Sequence, residues 1–338
     1  MLGKLLENLY PKIFINIIIN RSKTTVYIEV YDKNAVINRV EDSFNTTKLN
    51  NRMRDLITLY TRETPYNYIS VLDTSASQGA IPVCNKDEMS SFFNVEASSY
   101  KCYDEKWLYY TSKSDINLMK VYYKTIGLDF IFSPFTLLAK FFKDKIDSNV
   151  ALYVLVEDNC VCVSVFNHSS LLFAEHLNIE ADIEADELSM EDDLDDMELD
   201  LDLDGVVDLE DVDAVEDIDS LDDFTDIEDL SDFEEIDEFS EAQEDEVSTS
   251  NKTDTDESDL AGLNEDYQRF SLIQKSVNNF YKDRRFESRF IESVYIADSV
   301  GVSSDLKRYL EEEMFLSVYI RNINLAVEVC EMAKVELK

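Results

Sequence analysis

Acidic residues are concentrated in one continuous segment of this 338-residue chain. Between Glu180 and Asp259 there are 39 Asp and Glu residues and a single basic residue, Lys252. The whole chain has 72 acidic and 31 basic residues and a net charge of −41. Without the segment, 33 acidic and 30 basic residues remain, with a net charge of −3. Such a density of like charge opposes collapse, so we predict a disordered acidic insertion. The fold must be sought in the near-neutral remainder.

No apolar run in the sequence approaches the roughly 18 residues that span a bilayer. The run 13–19 is short and is followed by Arg21 and Lys23. The first residues also lack the long apolar stretch and small-residue cleavage site of a signal peptide. We therefore expect a cytoplasmic protein.

Cysteines and histidines give little support for a metal centre or a catalytic set. Cys160 and Cys162 alternate in a predicted strand, which puts both sulfurs on one face, and we interpret them as small core residues. A zinc site needs further ligands, and neither His168 nor His176 has the required spacing. The chain has only 6 glycines. This scarcity limits loops that cradle phosphate, which need close backbone approach and positive φ.

Two halves of the chain show the same order of elements. Three short strands are predicted at 13–19, 25–31 and 35–40, and three more at 150–156, 160–166 and 171–177. A helix at 49–62 and a strand at 66–72 follow the first set. A helix at 264–281, strands at 291–297 and 315–320, a helix from Ser303 or Ser304 and a helix at 323–335 follow the second. Two such units in one chain predict a two-lobed α/β fold of the actin-like (ribonuclease-H-like) type.

A smaller unit separates the halves. It contains a strand at 107–111 and a helix from Ser114 that ends at Gly127. A strand at 128–132 follows, and Ser133 and Pro134 suit the cap and first position of a helix that links the lobes. The predicted parts are a first lobe at 1–74, a small subdomain at 75–126 and a second lobe at 127–179 and 263–338. Residues 127–146 form the inter-lobe helix region, and 180–262 form the disordered acidic insertion.

Three stretches resemble cytoplasmic actin-like proteins of assembly platforms, namely the PilM family and the cytoplasmic domain of the GspL family. They are "WLYYTSKSDINLMKVYYKTIGLDFIFSPFTLLAKFF", "ALYVLVEDNCVCVSVFNHSSLLFAEHL" and "FIESVYIADSVGVSSDLKRYLEEEM". The likeness covers most of 1–178 and 263–338 and is one of pattern and order. It implies a place in a type IV pilus, type II secretion or DNA-uptake (transformation) machine. It also implies a cytoplasmic location, peripheral at the inner membrane.

The resemblance implies ATP binding through two hairpin turns and a Gly-rich turn. Here the first turn is Asn20-Arg21-Ser22-Lys23 instead of an Asp-x-Gly pattern, and the second, Glu157-Asp158-Asn159, also lacks glycine. The third reads Asp298-Ser299-Val300-Gly301 instead of carrying paired glycines. Lys23, Asp158 and Gly301 are the residues that remain to contact a nucleotide. We expect no resident cofactor, with ATP–magnesium as the open alternative.

The resemblance also implies a groove between the first lobe and the small subdomain that holds the cytoplasmic peptide of a bitopic inner-membrane protein, as PilM-like proteins hold PilN. The groove would involve strand 66–72 and residues 75–126. Trp107 and Tyr109 are the candidate lining residues, in a cluster completed by Tyr100, Tyr103 and Tyr110. The alternative is that these aromatics are ordinary core and half-buried strand residues.

The acidic insertion interleaves its charges with Leu, Ile, Val and Phe. This pattern suits transient contact with a basic, apolar protein surface, such as that of an assembly ATPase, with Phe224, Phe233 and Phe239 as anchors. The alternative is a solvating spacer without a dedicated partner. Direct binding of nucleic acid is disfavoured, because phosphates would be repelled.

Residues 200–211 within the insertion fit the spacing of a calcium loop. Gly205 stands at position 6, and aspartates stand at positions 1, 3, 5, 9 and 12: Asp200, Asp202, Asp204, Asp208 and Asp211. Position 12 holds Asp instead of the usual bidentate Glu, and such matches arise by chance in an Asp-rich tract. We expect non-specific cation condensation rather than a specific calcium site.

Three functions remain open at this point. The leading prediction is a non-catalytic adaptor that binds a membrane partner's cytoplasmic peptide and reaches the membrane through it. The first alternative is a degenerate actin-like ATPase or nucleotide-gated switch. The second is a regulatory module that acts through the acidic segment.

Overall fold

The computed structural model describes residues 10–33, 35–146, 149–179 and 255–337, with side chains from residue 265 onward in the last range. The strands of the first sheet are β1 (Lys12–Ile19), β2 (Thr24–Asp32), β3 (Ala35–Phe44), β4 (Asn67–Leu72) and β8 (Phe130–Phe132). Those of the second are β9 (Ala151–Val156), β10 (Cys160–Asn167), β11 (Ser170–Asn178), β12 (Ser293–Asp298) and β13 (Ser317–Asn322). A small sheet contains β5 (Gln78–Ile81), β6 (Ser98–Tyr103) and β7 (Trp107–Ser112).

The helices with eight or more residues are α1 (Asn51–Thr61), α3 (Lys113–Tyr122), α4 (Pro134–Phe141), α6 (Thr255–Lys282), α7 (Ser304–Glu312) and α8 (Leu325–Glu336). Two single turns, α2 (Lys86–Met89) and α5 (Lys143–Ile146), complete the set in the described residues. Side-chain caps fix several helix starts, as predicted for Ser303 and Ser133, whose hydroxyls accept hydrogen bonds from the Asp305 and Phe135 amides.

The two large sheets have the same topology. Their strand orders are β3-β2-β1-β4-β8 and β11-β10-β9-β12-β13. In each sheet the first three strands form an antiparallel meander, and two further strands add in parallel. This duplication is the strand order of a two-lobed actin-like fold, and the predicted fold class is confirmed.

Burial explains why the central strands of each sheet read as near-continuous apolar runs. All six residues of β9 are buried, as are six of the eight in β1. Strands covered on both faces lose the alternation of half-exposed strands. The edge strand β3, in contrast, carries mostly exposed residues. The apolar runs therefore mark the middle of each sheet, where layers pack on both sides.

Two assignments to the second lobe were wrong. Strand β8 pairs with β4 in the first sheet, so residues 130–132 belong to the first lobe. Helix α8 follows β13 in sequence, but it packs on β1, β2 and β4. Its Lys334 pairs with the buried Glu29 of β2, and this pair joins the end of the chain to the first sheet. Both errors concern pairings between residues far apart in sequence, which local patterns do not reveal.

Helix α3, at the end of the predicted small subdomain, contacts β6 and β7 of the small sheet and also packs on the first lobe. Met119 and Tyr123 join the apolar cluster beneath the first sheet. Of the elements in this subdomain, β7 was predicted from the sequence, whereas β5, β6 and α2 were not. A disulfide between Cys84 and Cys102, also not predicted, closes 18 residues of this subdomain with a Cα–Cα distance of 5.8 Å.

Residues 180–254, which hold most of the acidic insertion, lie outside the described residues. The predicted helix at 264–281 corresponds to α6, which begins earlier, at Thr255. Within the described part of the chain, no helix combines the length and apolar character needed to cross a membrane.

Candidate functional site

Two hairpin turns occupy equivalent positions in the two lobes, and they are the two hairpin turns considered for nucleotide contact in the sequence analysis. In the first, the Asn20 amide donates to the Lys23 carbonyl oxygen at 2.8 Å. In the second, the Glu157 amide donates to the Cys160 carbonyl oxygen at 3.0 Å. Asn20 and Glu157 each follow the first strand of their sheet directly, so they are structural counterparts.

The side chain of Glu157 is buried in the second turn. The residue is 2% exposed, and its Oε1 has no hydrogen-bond partner among the described residues. Burial raises the pKa of this carboxyl to about 7, although a hydrogen bond with Cys160 opposes the shift. Phosphate-binding turns offer free backbone amides to the anion. This turn instead contains a buried carboxyl group.

The third turn, after β12, is closed by its own aspartate. Asp298 Oδ1 accepts hydrogen bonds from the Val300 and Gly301 amides at 3.0 and 2.8 Å, and Oδ2 accepts from the Val302 amide at 3.0 Å. Gly301 has φ +84°, the left-handed conformation that favours glycine. Three amides that converge on one carboxylate form an anion-binding nest. Here the chain itself supplies the anion.

The cleft between these turns is small. A cavity of about 210 Å³ lies between the first hairpin, the turn after β12 and the start of α8, and Asn20, Glu41 and Ser299 are among its lining residues. The residues predicted to contact a nucleotide, Lys23, Asp158 and Gly301, do not line this cavity.

A second concave surface lies where the small sheet meets the first lobe, and we call it the small-domain groove. It encloses about 180 Å³ between the ends of β4 and β8, helix α3 and strands β6 and β7. Its lining residues are Asp73, Ser99, Tyr100, Lys101, Tyr109, Tyr110, Thr111, Ile116, Ile131 and Ser133. This is the place predicted for a peptide groove, with a volume that suits one or two side chains.

Asp73 forms the polar floor of the small-domain groove. It follows β4 directly, is 2% exposed, and its Oδ1 accepts hydrogen bonds from the Ser75 amide and hydroxyl at 3.0 and 2.6 Å. Burial raises the pKa of its carboxyl, although the Ser75 hydrogen bonds oppose the shift. Burial, with smaller effects of Glu336 and Tyr103, raises the pKa of Tyr109 to about 12. At neutral pH the Tyr109 phenol is therefore uncharged.

The structure separates the two aromatic residues singled out from the sequence. Tyr109 is half-buried and lines the small-domain groove. Trp107 is 1% exposed, stacks on Tyr103 and contacts Phe166 of the second lobe edge-on. Trp107 is therefore a core residue and does not line the small-domain groove. In the sequence, only the alternation of side chains between the two faces of β7 was available as a signal. Trp107 and Tyr109 are two residues apart and share a face, so this alternation does not distinguish them.

Sequence reasoning missed Asp73, Ile116 and Ile131 as groove residues. No group of three or more His, Cys, Asp or Glu side chains that could hold a metal ion occurs among the described residues. The calcium-loop residues Asp200, Asp202, Asp204, Asp208 and Asp211, and the anchors Phe224, Phe233 and Phe239, lie outside the described residues.

The duplicated sheets and the two concave surfaces define a two-lobed protein of the actin-like class. The chain belongs to the family described as Domain of unknown function (DUF8341), which matches residues 152–338. A second family, Domain of unknown function (DUF8569), matches residues 10–139. The two matches divide the chain near the start of the second sheet. No protein with a curated description matches the chain.

Three solved structures resemble this chain over most of its length. A Bacteroides thetaiotaomicron VPI-5482 protein with an actin-like ATPase fold is 10% identical, with 97% of this chain and 96% of that chain covered and a TM-score of 0.44. A PilM–PilN type IV pilus biogenesis complex is 9% identical, with 93% of this chain and 89% of that chain covered and a TM-score of 0.47. The ethanolamine utilization protein EutJ from Carboxydothermus hydrogenoformans is 7% identical, with 97% of this chain and 96% of that chain covered and a TM-score of 0.42. These values establish no shared activity, and the fold assignment stands on the duplicated strand order.

Proposed function

We propose that this protein is a non-catalytic adaptor that holds a short peptide of a bitopic inner-membrane protein in the small-domain groove. The observation that carries the proposal is the groove itself, a surface cleft of about 180 Å³ with aromatic and aliphatic walls. Such walls suit apolar peptide side chains, and extended peptides are commonly recognised through pockets of this kind. The PilM–PilN complex is a similar structure in which the partner is named PilN, and we extend that pairing to this chain as part of the proposal.

Two of the three turns support the non-catalytic part of the proposal. The Asp298 carboxylate already accepts hydrogen bonds from the three amides of the third turn. The second turn contains the buried carboxyl of Glu157. Phosphate would meet negative or desolvated groups at both places, so the residues present do not fit a bound nucleoside triphosphate.

The peptide proposal is tested by two substitutions on the same helix. Ile116 of α3 lines the small-domain groove, whereas Leu118 is 68% exposed and does not. The full-length protein, Ile116→Arg and Leu118→Arg would each be used to purify partners from solubilised native membranes. We expect one bitopic membrane protein to be retained in stoichiometric amount by the unmodified protein and Leu118→Arg, but not by Ile116→Arg. Retention by all three proteins, or by none, would contradict the proposal.

Calorimetric titration with ATP–magnesium tests the non-catalytic part. We expect no heat of binding at millimolar ATP to the full-length protein. Micromolar affinity would instead support the nucleotide-gated alternative.

The cytoplasmic location is also part of the proposal. The Cys84–Cys102 disulfide argues against this location, because stable disulfides are uncommon in reducing compartments. Thiol counting on protein quenched at the moment of cell lysis measures whether the bond forms in the cell.

A further inference from the structure

The Cys84–Cys102 disulfide is the accessible cysteine site of the chain. Both of its residues are partly exposed. The other cysteines, Cys160, Cys162 and Cys330, are free and buried. Thiol–disulfide exchange requires that an attacking thiolate reach a sulfur atom. In the folded protein this pair is therefore the one that a soluble thiol can attack.

The segment that the disulfide closes has little apolar core of its own. Cys84 follows β5 by three residues and Cys102 lies in β6, so the bond ties the connection between these strands to the small sheet. The apolar cluster of this sheet contains only three buried residues: Ile81, Met89 and Leu108. Units whose core is too small for independent stability commonly depend on disulfides. Reduction is therefore expected to loosen residues 84–102 more than the two large sheets.

One residue of this segment supports the aromatic wall of the small-domain groove. The Phe93 ring stacks on Tyr110, with 4.0 Å between the ring centroids and 6° between the ring planes. It also meets Tyr100 edge-on, with 6.1 Å between the centroids. Both tyrosines line the groove. A shift of the segment would therefore move the ring that holds these two tyrosines in place.

The adjacent phenylalanine anchors the same segment elsewhere. The Phe92 ring lies 5.6 Å from the ring of Phe286 in the second lobe, and the Arg285 guanidinium lies 5.6 Å from the Phe92 centroid. Arg285 also donates a hydrogen bond to the Ser91 carbonyl oxygen at 3.0 Å. Phe92 does not line the small-domain groove. These contacts do not depend on the disulfide, so they keep the segment near the second lobe when the bond is open.

We propose that the Cys84–Cys102 bond is a redox switch that orders the aromatic wall of the small-domain groove and so sets the groove's affinity for a peptide. The effect on affinity rests on the proposed function. With the bond closed, Phe93 holds Tyr100 and Tyr110 in place; with the bond open, residues 84–102 gain freedom and this support is lost. Disulfides of cytoplasmic proteins are usually transient and serve catalysis or redox sensing. A reversible bond is therefore compatible with the proposed location.

The reaction is thiol–disulfide exchange with a dithiol reductant. A thiolate of the reductant attacks one sulfur of the Cys84–Cys102 bond and forms a mixed disulfide, and the other cysteine leaves as a thiolate that takes up a proton. The second thiol of the reductant then attacks the mixed disulfide and releases the first cysteine. The protein gains two electrons and two protons, and the reductant becomes a disulfide.

Retention of a membrane partner measures the effect on affinity. Full-length protein would be immobilised, oxidised with glutathione disulfide or reduced with dithiothreitol, washed free of reagent and exposed to solubilised native membranes. The reduced protein should retain about tenfold less of the bitopic membrane protein, which corresponds to about 1.4 kcal/mol. Reoxidation should restore retention, and the double variant Cys84→Ser, Cys102→Ser should bind like the reduced protein under both treatments. Equal retention by oxidised and reduced protein overturns the proposal.

Two neighbouring substitutions separate the aromatic wall from the bond itself. Phe93→Ala removes the ring that supports Tyr100 and Tyr110, and in the oxidised state it should bind as weakly as the reduced protein. Phe92→Ala makes the same change at the adjacent residue and should keep both the binding and its response to dithiothreitol. Full binding by oxidised Phe93→Ala would show that the wall does not transmit the redox state.

Hydrogen exchange separates failure of the switch from failure of the proposed function, because it needs no partner. Dithiothreitol should speed exchange in residues 84–102, leave β9 and β10 unchanged, and be reversed by glutathione disulfide. This response without any retained membrane protein would support the switch and contradict the proposed function. Unchanged exchange in residues 84–102, or reduction of the bond only in urea, would overturn the switch whether or not a partner is retained.

Discussion

The two lobes share a strand order but use equivalent positions differently. Asn20 and Glu157 follow the first strands of their sheets, and one is a neutral amide while the other is a buried acid. Asp73 directly follows β4, Asp298 is the last residue of β12, and both aspartates are buried. Asp298 closes its own turn, whereas Asp73 bonds to Ser75 at the entrance to the small subdomain. The two lobes therefore share a sheet topology, while the side chains at equivalent strand ends differ in chemistry.

The largest expected effect comes from breaking the contact that joins the end of the chain to the first sheet. Lys334 of α8 donates to the buried Glu29 of β2, which also accepts from Tyr27 and Arg39. Burial alone would raise the pKa of Glu29, but these hydrogen bonds outweigh burial and leave it lowered. Lys334→Ala would leave a buried carboxylate without its main partner, and we expect a loss of about 3–5 kcal/mol.

Urea unfolding at pH 7 measures this loss. Lys307→Ala, which removes an exposed pair with Glu311, is the control and should cost no more than about 0.5 kcal/mol. Because the folded-state pKa of Glu29 is lowered, its contribution is present above the unfolded-state pKa and is lost as pH falls through the folded-state value. Equal stability of the two variants at pH 7 would contradict the role assigned to Lys334.

The small subdomain is present in the first lobe and has no counterpart in the described part of the second lobe. Removing its disulfide tests whether the subdomain unfolds separately from the lobes. The double variant Cys84→Ser, Cys102→Ser removes a bond that closes 18 residues. The chain-entropy model gives a loss of about 3 kcal/mol for such a loop. Hydrogen exchange should show faster opening of β5, β6 and β7 than of β9 and β10. Uniformly faster exchange over the whole chain would show instead that the subdomain does not open separately.

The acid in the second turn predicts a pH dependence that the first turn lacks. The pKa of Glu157 is raised to about 7 in the folded state from an ordinary value of 4.5, so the folded protein binds the extra proton between these values. Stability from this group is therefore greatest below about pH 4.5 and falls as pH rises to about 7. Glu157→Gln should remove this fall and be more stable than the unmodified protein at pH 8, by up to about 3 kcal/mol.

Chemical unfolding of both proteins at pH 5 and pH 8 provides the measurement. Asn20→Asp, which places an acid in the equivalent turn of the first lobe, is the matched variant for the comparison. An unchanged difference between the two pH values after Glu157→Gln would mean that another group controls the pH dependence.

The smallest expected effect distinguishes the two strand-end aspartates. Asp298→Ala removes three hydrogen bonds from amides to a carboxylate, and hydrogen bonds to charged groups contribute about 1.5–3 kcal/mol each when taken singly. Because such values do not add, we expect a loss of about 2–3 kcal/mol. Asp73→Ala should cost about 1 kcal/mol, because burial already disfavours its charged form. Thermal unfolding of the two variants side by side measures the order, and a larger loss for Asp73→Ala would reverse it.

Local patterns in the sequence determined much of the architecture. Apolar runs at 13–19 and 150–156, the turns after them and the cap at Ser133 predicted the two meanders and the helix between the lobes. The charge count separated the acidic insertion from the folded part. These features depend on hydrogen bonds and periodicities within a few residues, and a single sequence displays them directly.

Only the tertiary structure decided which distant elements pair. It placed β8 in the first sheet and α8 on β1, and it joined Cys84 to Cys102. It showed that Asp298 closes its turn with its own carboxylate and that β5 and β11, from different sheets, line a common cavity. Parallel pairing and the packing of one lobe on another connect residues far apart in sequence, and many arrangements satisfy the same local pattern. The final choice rests on side-chain packing and burial summed over the whole fold.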